Sequence, residues 1–180
     1  MKRSMQTTKR HSTTVRYETR ATIDRRSSDV FARLADLDGY RSWMRRTGLF
    51  RRSGQTTGGP LAAGTAYFDA TRMGTLRGEV TAFDPPNRIG FRETLRWFGS
   101  DLMEARPEYT LEADEDRTIL HHVAEAELFG LMRLMKPISL LLARSERDRT
   151  VKALRRSLES DEASERERPH PTKLTQREVR

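Results

Sequence analysis

Between residues 50 and 129 the sequence consists largely of segments in which apolar and polar residues alternate, joined mostly by short turns. Successive side chains of a β-strand point to opposite faces, so this alternation predicts strands with one buried and one solvent-exposed face. Connections this short cannot hold crossover helices, which favours an antiparallel meander over parallel βαβ units. The predicted strands are Phe50–Thr57, Thr65–Met73, Leu76–Phe83, Ile89–Phe98, Met103–Ala113 and Thr118–Phe129.

The stretch Thr81–Glu93, TAFDPPNRIGFRE, places two adjacent prolines inside this pattern. Proline has no backbone N–H and is normally kept out of strand interiors. Asp84 and Asn87 flank Pro85 and Pro86, and all four residue types favour tight turns. The prolines are therefore expected to form a reversal between two strands and to determine where the second of these begins.

An alternating strand, Val15–Ile23, precedes two short predicted helices. Ser27 or Ser28 is expected to cap the first helix, which ends near Asp38-Gly39. The second helix is predicted from an apolar side with i, i+3 and i+4 spacing, formed by Tyr40, Trp43 and Met44.

A long C-terminal helix is predicted over Pro137–Leu158, where apolar residues recur at helical spacing. It is the only remaining element long enough to cover the apolar face of the sheet. The expected fold class is therefore α+β with a helix-grip architecture. In that architecture a curved antiparallel sheet of six to seven strands wraps around the C-terminal helix, and two short helices follow the first strand.

The 180-residue length fits one domain, expected over residues 15–158, between a basic tail at 1–14 and a charged tail at 159–180. Both tails are expected to be disordered, because neither carries enough apolar surface to offset the entropy of ordering. The absence of cysteine excludes disulfides and thiolate chemistry and suits a reducing compartment.

The N-terminal residues lack the apolar segment of a secretory signal, so the cytoplasm is the expected location. The most apolar stretch, Leu128–Ala143, contains Arg133 and Lys136 and is shorter than the roughly 20 residues that a membrane span requires. No membrane span is therefore expected.

The net charge of +8 raises the question of a nucleic-acid partner. Nearly all of the basic residues are arginines, and they are interspersed with acidic residues instead of clustering along one helix. This distribution argues against a dedicated nucleic-acid surface.

Three stretches resemble the SRPBCC superfamily, the START-related fold, and within it the polyketide cyclase/dehydrase and lipid-transport group. They are ATIDRRSSDVFARLADLDGYRSWM, GEVTAFDPPNRIGFRE and ISLLLARSERDRTVKALRRSLE, and the resemblance covers about residues 15–158. It implies a hydrophobic pocket between the helix and the sheet and leaves open whether a reaction takes place there.

His121 and His122 are the histidines outside the tails. Neighbouring residues of a strand face opposite ways, so the pair cannot chelate one metal ion, and no set of ligands at metal-binding spacing completes either one. The phase of Leu120, Ala124 and Leu128 favours His122 facing inward, although the opposite phase stays open. His122 is then a wall residue, a ligand contact or a general base.

Glu93 shares a predicted face with apolar residues, so its carboxylate needs a partner or a raised pKa. It is expected to lie near the pocket mouth, pair with an arginine, orient a ligand or act as an acid/base group. Asp69 is treated in the same way. His122 and Glu93 are the only candidates for catalysis, and no catalytic set is assigned. The residues expected to line the pocket are Tyr17, Trp43, Tyr67, Asp69, Phe91, Glu93, Trp97, Met103, Tyr109 and His122.

The leading functional hypothesis is the binding of a small hydrophobic ligand, such as a polyketide, a lipid or an aromatic compound, with no cofactor. One alternative is a polyketide aromatase/cyclase, in which tyrosine, histidine and glutamate side chains position a poly-β-keto chain and move protons. Another alternative is a basic interaction protein that associates with ribosomes or RNA.

Overall fold

The computed structural model describes residues 12–44, 50–72, 74–134 and 136–166 of the chain. Its elements are β1 (Ser12–Ile23), α1 (Ser27–Ala35), α2 (Tyr40–Trp43), β2 (Phe50–Gln55), β3 (Ala66–Thr71), β4 (Gly74–Asp84), β5 (Arg88–Trp97), β6 (Ser100–Asp114), β7 (Arg117–Phe129), a short 3-10 helix (Gly130–Arg133) and α3 (Lys136–Arg166).

All seven strands belong to one antiparallel sheet with the order β1-β7-β6-β5-β4-β3-β2. Strands β2 to β7 follow one another along the sheet, which confirms the predicted meander. β1 and β2 are consecutive strands but lie at opposite edges, and α1 and α2 are the helices between them. The architecture is the expected helix-grip fold, and the sheet is curved.

The turn between β4 and β5 contains the two prolines, as the sequence predicts. The peptide bond between Pro85 and Pro86 is cis, and the backbone N–H of Asn87 closes the turn by donating to the carbonyl of Asp84 at 2.8 Å. β5 begins immediately afterwards, at Arg88.

Alternation is most complete in β7, where every second residue is buried and those between are half-buried. The buried series runs Thr118, Leu120, His122, Ala124, Ala126 and Leu128. This confirms the favoured phase, in which His122 faces inward and His121 faces outward.

The outer face of the sheet carries ion pairs between neighbouring strands instead of a single sign of charge. Arg16 pairs with Glu125 at 2.8 Å, and Arg92 pairs with Glu79 at 2.9 Å. Positive and negative side chains therefore alternate across the paired strands of this face.

Helix α3 is anchored to the inner face through its second half, where Val151, Leu154 and Leu158 are buried. The side chain of Arg25, which follows β1, donates two hydrogen bonds to the carbonyl of Leu158, at 2.7 and 3.1 Å. The hydroxyl of Thr118 in turn donates to the Arg25 carbonyl at 2.6 Å. Together these bonds fasten the helix to the end of the sheet at which β1 finishes.

Several predicted boundaries are wrong. Cross-strand pairing with Phe129 extends β1 to Ser12, so residues 12–14 are not part of a tail. α3 continues to Arg166, eight residues beyond its predicted end, because the polar sequence after Leu158 still has good helix formers. The expected serine cap of α1 is also wrong, since Arg26 occupies the N-cap position without a side-chain hydrogen bond. Residues 1–11 and 167–180 lie outside the described residues.

Pro107 stands in the middle of β6, a strand with neighbours on both sides. β5 and β6 keep the same register at the pairs Gly90–Glu108 and Glu93–Ala105. Between these two pairs, residues 91 and 92 of β5 form no ladder pairs with residues 106 and 107 of β6. Proline cannot donate to the ladder, so the gap follows from this residue.

We expect Leu154→Ala to lower the free energy of unfolding by about 2–5 kcal/mol, because it removes a buried anchor of α3. Leu141→Ala is the matched control in the same helix, since the Leu141 side chain is 70% exposed; it should change stability by less than about 0.5 kcal/mol. Urea unfolding measures both values, and equal losses would contradict this placement of α3.

Candidate functional site

One row of inward-facing residues crosses the sheet at Glu93 of β5. Glu93 lies between Ala105 of β6 and Gly78 of β4, and Ala105 pairs on its other side with Ala126 of β7. These neighbours have the smallest side chains that proteins use, so the sheet itself places little side-chain volume beside the carboxylate. We call Glu93, Ala105, Ala126 and Gly78 the small-residue lane.

Tyr67 completes this row from β3 by lying across Gly78. Its hydroxyl donates to Oε1 of Glu93 at 2.7 Å, and the Tyr67 side chain is buried. A Cβ atom at position 78 would come within 2.3–2.7 Å of the tyrosine ring and its hydroxyl, distances that real Cβ atoms essentially never show. Only glycine at position 78 therefore allows Tyr67 to reach Glu93.

A second carboxylate, Asp69, lies two residues further along β3 and is also buried. It accepts a hydrogen bond from the hydroxyl of Ser53, its partner on β2. Both carboxylates that the sequence places on the inner face are thus held by hydroxyl donors, and the expected arginine partner of Glu93 is not what the structure shows.

Burial is the main cause that raises the pKa of Tyr67 well above its ordinary value, and the charge of Glu93 is the next. Burial likewise raises the pKa of Tyr40, with further contributions from Tyr109, Asp69 and Glu93 in that order. Tyr40 donates its hydroxyl hydrogen to the carbonyl of Leu34. Both tyrosines therefore stay protonated donors at neutral pH in a region where the two carboxylates set a negative potential.

His122 is fully buried, and its ring lies 4.3 Å from the ring of Tyr109 and 6.4 Å from that of Tyr17, centroid to centroid. An exposure of 0% means that no space large enough for water adjoins it. Of the three roles open to His122, the geometry thus supports that of a packed wall residue. His121, on the outer face, contacts Glu18.

The apolar core divides into two clusters, and the two alanines of the lane belong to the smaller one. The larger contains Phe91, Tyr109 and the buried residues of all three helices, and the smaller consists of Val15, Ala105, Ala126 and Leu128 with Met103 packed against it. Tyr17, Glu93 and Met103 face inward yet are only half-buried. Solvent therefore reaches the inner face in this region, as it would at an open cleft.

Trp97 is wrongly predicted as a lining residue. It is 64% exposed and pairs with Ser100 at the β5–β6 turn. The register of these strands shifts between Leu95 and Arg96, so the alternation that places Leu95 inside does not extend to Trp97.

Trp43 is buried in α2 as expected, with its ring 5.1 Å from that of Tyr40. Its indole N–H has no hydrogen-bond acceptor among the described residues. A buried N–H of this kind is normally satisfied, so it is a donor available to a ligand or a water molecule.

Sequence reasoning missed three residues that build the site, namely Gly78, Ser53 and Tyr40. The available signal was Gly78, because a glycine inside an alternating strand often marks a close approach of another group.

The described residues contain no cluster of three histidine, aspartate or glutamate side chains suited to a metal ion.

Residues 14–159 match the sequence profile of the family described as polyketide cyclase / dehydrase and lipid transport. No curated protein sequence is significantly similar to the chain.

Solved structures share the fold at low identity. The ZhuI aromatase/cyclase of a Streptomyces species has 14% identity and a TM-score of 0.67, covering 87% of this chain and 97% of that one. A START superfamily protein of Mycobacterium smegmatis has 12% identity and a TM-score of 0.62, covering 81% and 97%. A norcoclaurine synthase of Thalictrum flavum has 8% identity and a TM-score of 0.64, covering 84% and 98%.

We expect Gly78→Ala to displace Tyr67, break its hydrogen bond to Glu93 and cost about 2–4 kcal/mol of stability. Gly58→Ala is the control, since a Cβ atom at position 58 meets nothing within 4 Å. Adding Tyr67→Leu to Gly78→Ala should recover part of the loss, because the clash disappears with the ring. Additive losses in the double variant, measured by urea unfolding, would refute the close approach.

The raised pKa values of Tyr40 and Tyr67 predict an alkaline loss of stability. Their contribution is fully present below the unfolded pKa of about 10 and is lost as the pH rises from there towards the folded pKa. Tyr67→Phe should therefore lose less unfolding free energy than the natural protein between about pH 9 and 11. Parallel pH profiles for the two proteins would show that the Tyr67 hydroxyl titrates normally.

Proposed function

Because the chain belongs to the polyketide cyclase/dehydrase and lipid transport family, we propose that it binds a small, largely apolar molecule between the sheet and α3. The ligand lies over the small-residue lane, with Tyr17, Phe91 and Met103 as apolar contacts. Its polar group reaches Glu93 and Tyr67. Support comes from the family, from the half-buried inward side chains Tyr17, Glu93 and Met103, and from the small size of the residues paired with Glu93.

The observation that carries this proposal is the Glu93 carboxylate itself. It is half-buried, and its hydrogen bond from Tyr67 occupies one of about four acceptor positions on an ionised carboxylate. A carboxylate facing an apolar lane is costly unless further donors satisfy it. A hydroxyl or amino group of a ligand that lies beside the half-buried Glu93 supplies such donors.

The charges favour one class of polar group. Two carboxylates, Glu93 and Asp69, lie on the inner face, whereas the arginines of the described strands lie on the outer face or at strand ends. A ligand carboxylate would meet like charge at the lane, while a hydroxyl or protonated amine would not. We therefore assign the site to phenols, alcohols or amines with an apolar body, in preference to fatty acids.

We expect 1-naphthylmethylamine and 1-naphthalenemethanol to bind at least tenfold more tightly than 1-naphthoate, three naphthalenes whose polar substituents are cationic, neutral and anionic. Glu93→Gln should reduce the preference for the amine over the naphthoate. Glu79→Gln removes an equal charge from the outer face and should leave the preference unchanged. Isothermal titration calorimetry measures all three affinities.

Failure of all three ligands to bind, at concentrations up to a few millimolar, would refute the binding function. Binding with the naphthoate preferred would keep the binding function and refute the role of Glu93. Tyr67→Phe should weaken the binding of 1-naphthalenemethanol by about 1 kcal/mol, the scale of one hydrogen bond.

A second candidate function is an aromatase/cyclase, and the Tyr67–Glu93 pair is the observation that favours it. A carboxylate and a phenol joined by a 2.7 Å hydrogen bond can accept a proton from a carbon next to a ketone and donate one to a carbonyl oxygen. Loss of turnover of a poly-β-keto substrate in Glu93→Gln, with binding retained, would assign this activity. Unchanged turnover in that variant would exclude Glu93 as its base.

A further inference from the structure

One end of the sheet combines exposed apolar side chains with positive charge, and we call it the turn end. Antiparallel pairing brings the β3–β4 turn, the β5–β6 turn and the close of β7 to this same end. The register pairs Thr71 with Gly74, Trp97 with Ser100, and Met103 with Leu128. The 3-10 helix and the start of α3 follow β7 directly.

All five exposed large hydrophobic residues of the described chain belong to these segments. Trp97 and Phe98 form the β5–β6 turn, with exposures of 64% and 91% and ring centroids 5.2 Å apart. The others are Leu131, Leu134 and Leu141, which are exposed by 71%, 77% and 70%. Single exposed hydrophobic residues are common, but five gathered at one end point to an interaction surface.

The backbone of the β5–β6 turn supports a role for its aromatic ring. Phe98 has a φ of +45°, in the left-handed region that bulky residues rarely adopt. Glycine or asparagine would occupy this position with less strain. The turn instead holds a phenylalanine whose ring packs only against its neighbour and otherwise faces outward, so stability alone does not account for it.

The charges at the turn end are mainly positive. Arg51, Arg72, Arg133 and Lys136 are exposed and form no ion pair with any other described residue, whereas Asp101 is bonded to Arg96 at 3.0 Å. At the opposite end, Asp84 and Asp114 are the last residues of β4 and β6, and Glu115 and Asp116 form the β6–β7 turn. Asp116 pairs with Arg26 at 3.3 Å. The turn end thus presents its four cations beside its exposed apolar side chains.

We propose that the turn end docks on the surface of a membrane that contains anionic phospholipid. Tryptophan and phenylalanine favour the region between headgroups and acyl chains, and leucines enter it next to cations that attract acidic headgroups. The opposite end, with Glu115 in its β6–β7 turn, points away from such a surface. No helix of the described chain is long and apolar enough to cross a membrane, so the contact is peripheral. This proposal does not depend on the ligand function.

The test compares binding to vesicles of phosphatidylcholine alone with binding to vesicles containing 30% phosphatidylglycerol. The full chain should bind the anionic vesicles at least tenfold more tightly in co-sedimentation, with affinity falling as salt is added. Tryptophan emission should shift to the blue, and the shift should disappear in Trp97→Phe, which leaves the buried Trp43 in place. Absence of binding to anionic vesicles would overturn the proposal.

Two double variants separate the contributions of charge and apolar surface. The double variant Arg72→Gln with Arg133→Gln should weaken binding to anionic vesicles at least tenfold. The control double variant, Arg20→Gln with Arg26→Gln, removes two positive charges away from the turn end and should change this binding less than twofold. Phe98→Asn with Leu134→Ser should abolish binding, and asparagine tolerates the backbone of position 98, so the turn keeps its shape. Equal binding by all of these variants would overturn the proposal.

Sedimentation velocity without vesicles tests the other occupant of this surface. A monomer in the natural protein supports membrane docking. A dimer that Phe98→Asn with Leu134→Ser dissociates would assign the turn end to a second copy of the chain and overturn the membrane proposal.

Discussion

The structure depends on one constraint, which is that a seven-stranded sheet has little helical structure with which to cover its inner face. The described buried side chains of α3, Val151, Leu154 and Leu158 among them, lie in the second half of the helix. Arg25 fastens that same half to the sheet. Elsewhere on the inner face, Tyr17, Glu93 and Met103 are only half-buried. Ligand binding is proposed beside these three side chains.

The strands could be predicted because the outer face of the sheet is exposed to solvent. Charged residues such as Arg92 and Glu125 alternate with buried ones, so the period of two is visible in the sequence and sets the inward phase of β5 and β7. Trp97 shows the limit of this reasoning. Alternation carries no information about the register shift after Leu95, and the strand leaves the covered region two residues before the pattern ends.

The candidate site was predictable in part. The inward position of Glu93 follows from its own strand, but its partner does not, because Tyr67 is 26 residues away and reaches the carboxylate only across β4. That contact requires the register of three strands and the absence of a side chain at Gly78. His122 presents the same case, since its inward phase was foreseen while its tight packing against Tyr109 depends on the register of β6 with β7.

Pro107 has a consequence for how the sheet opens. The missing ladder pairs between β5 and β6 lie beside Phe91, so the hydrogen-bonded network is interrupted close to the proposed ligand. Sheet cooperativity depends on continuous pairing, and proteins open in units that such breaks delimit. Local opening is therefore expected first at this gap, with amide protons near Phe91 and Arg92 exchanging with solvent before those of β7. A bulky ligand would thus have a local route of entry that leaves the rest of the fold intact.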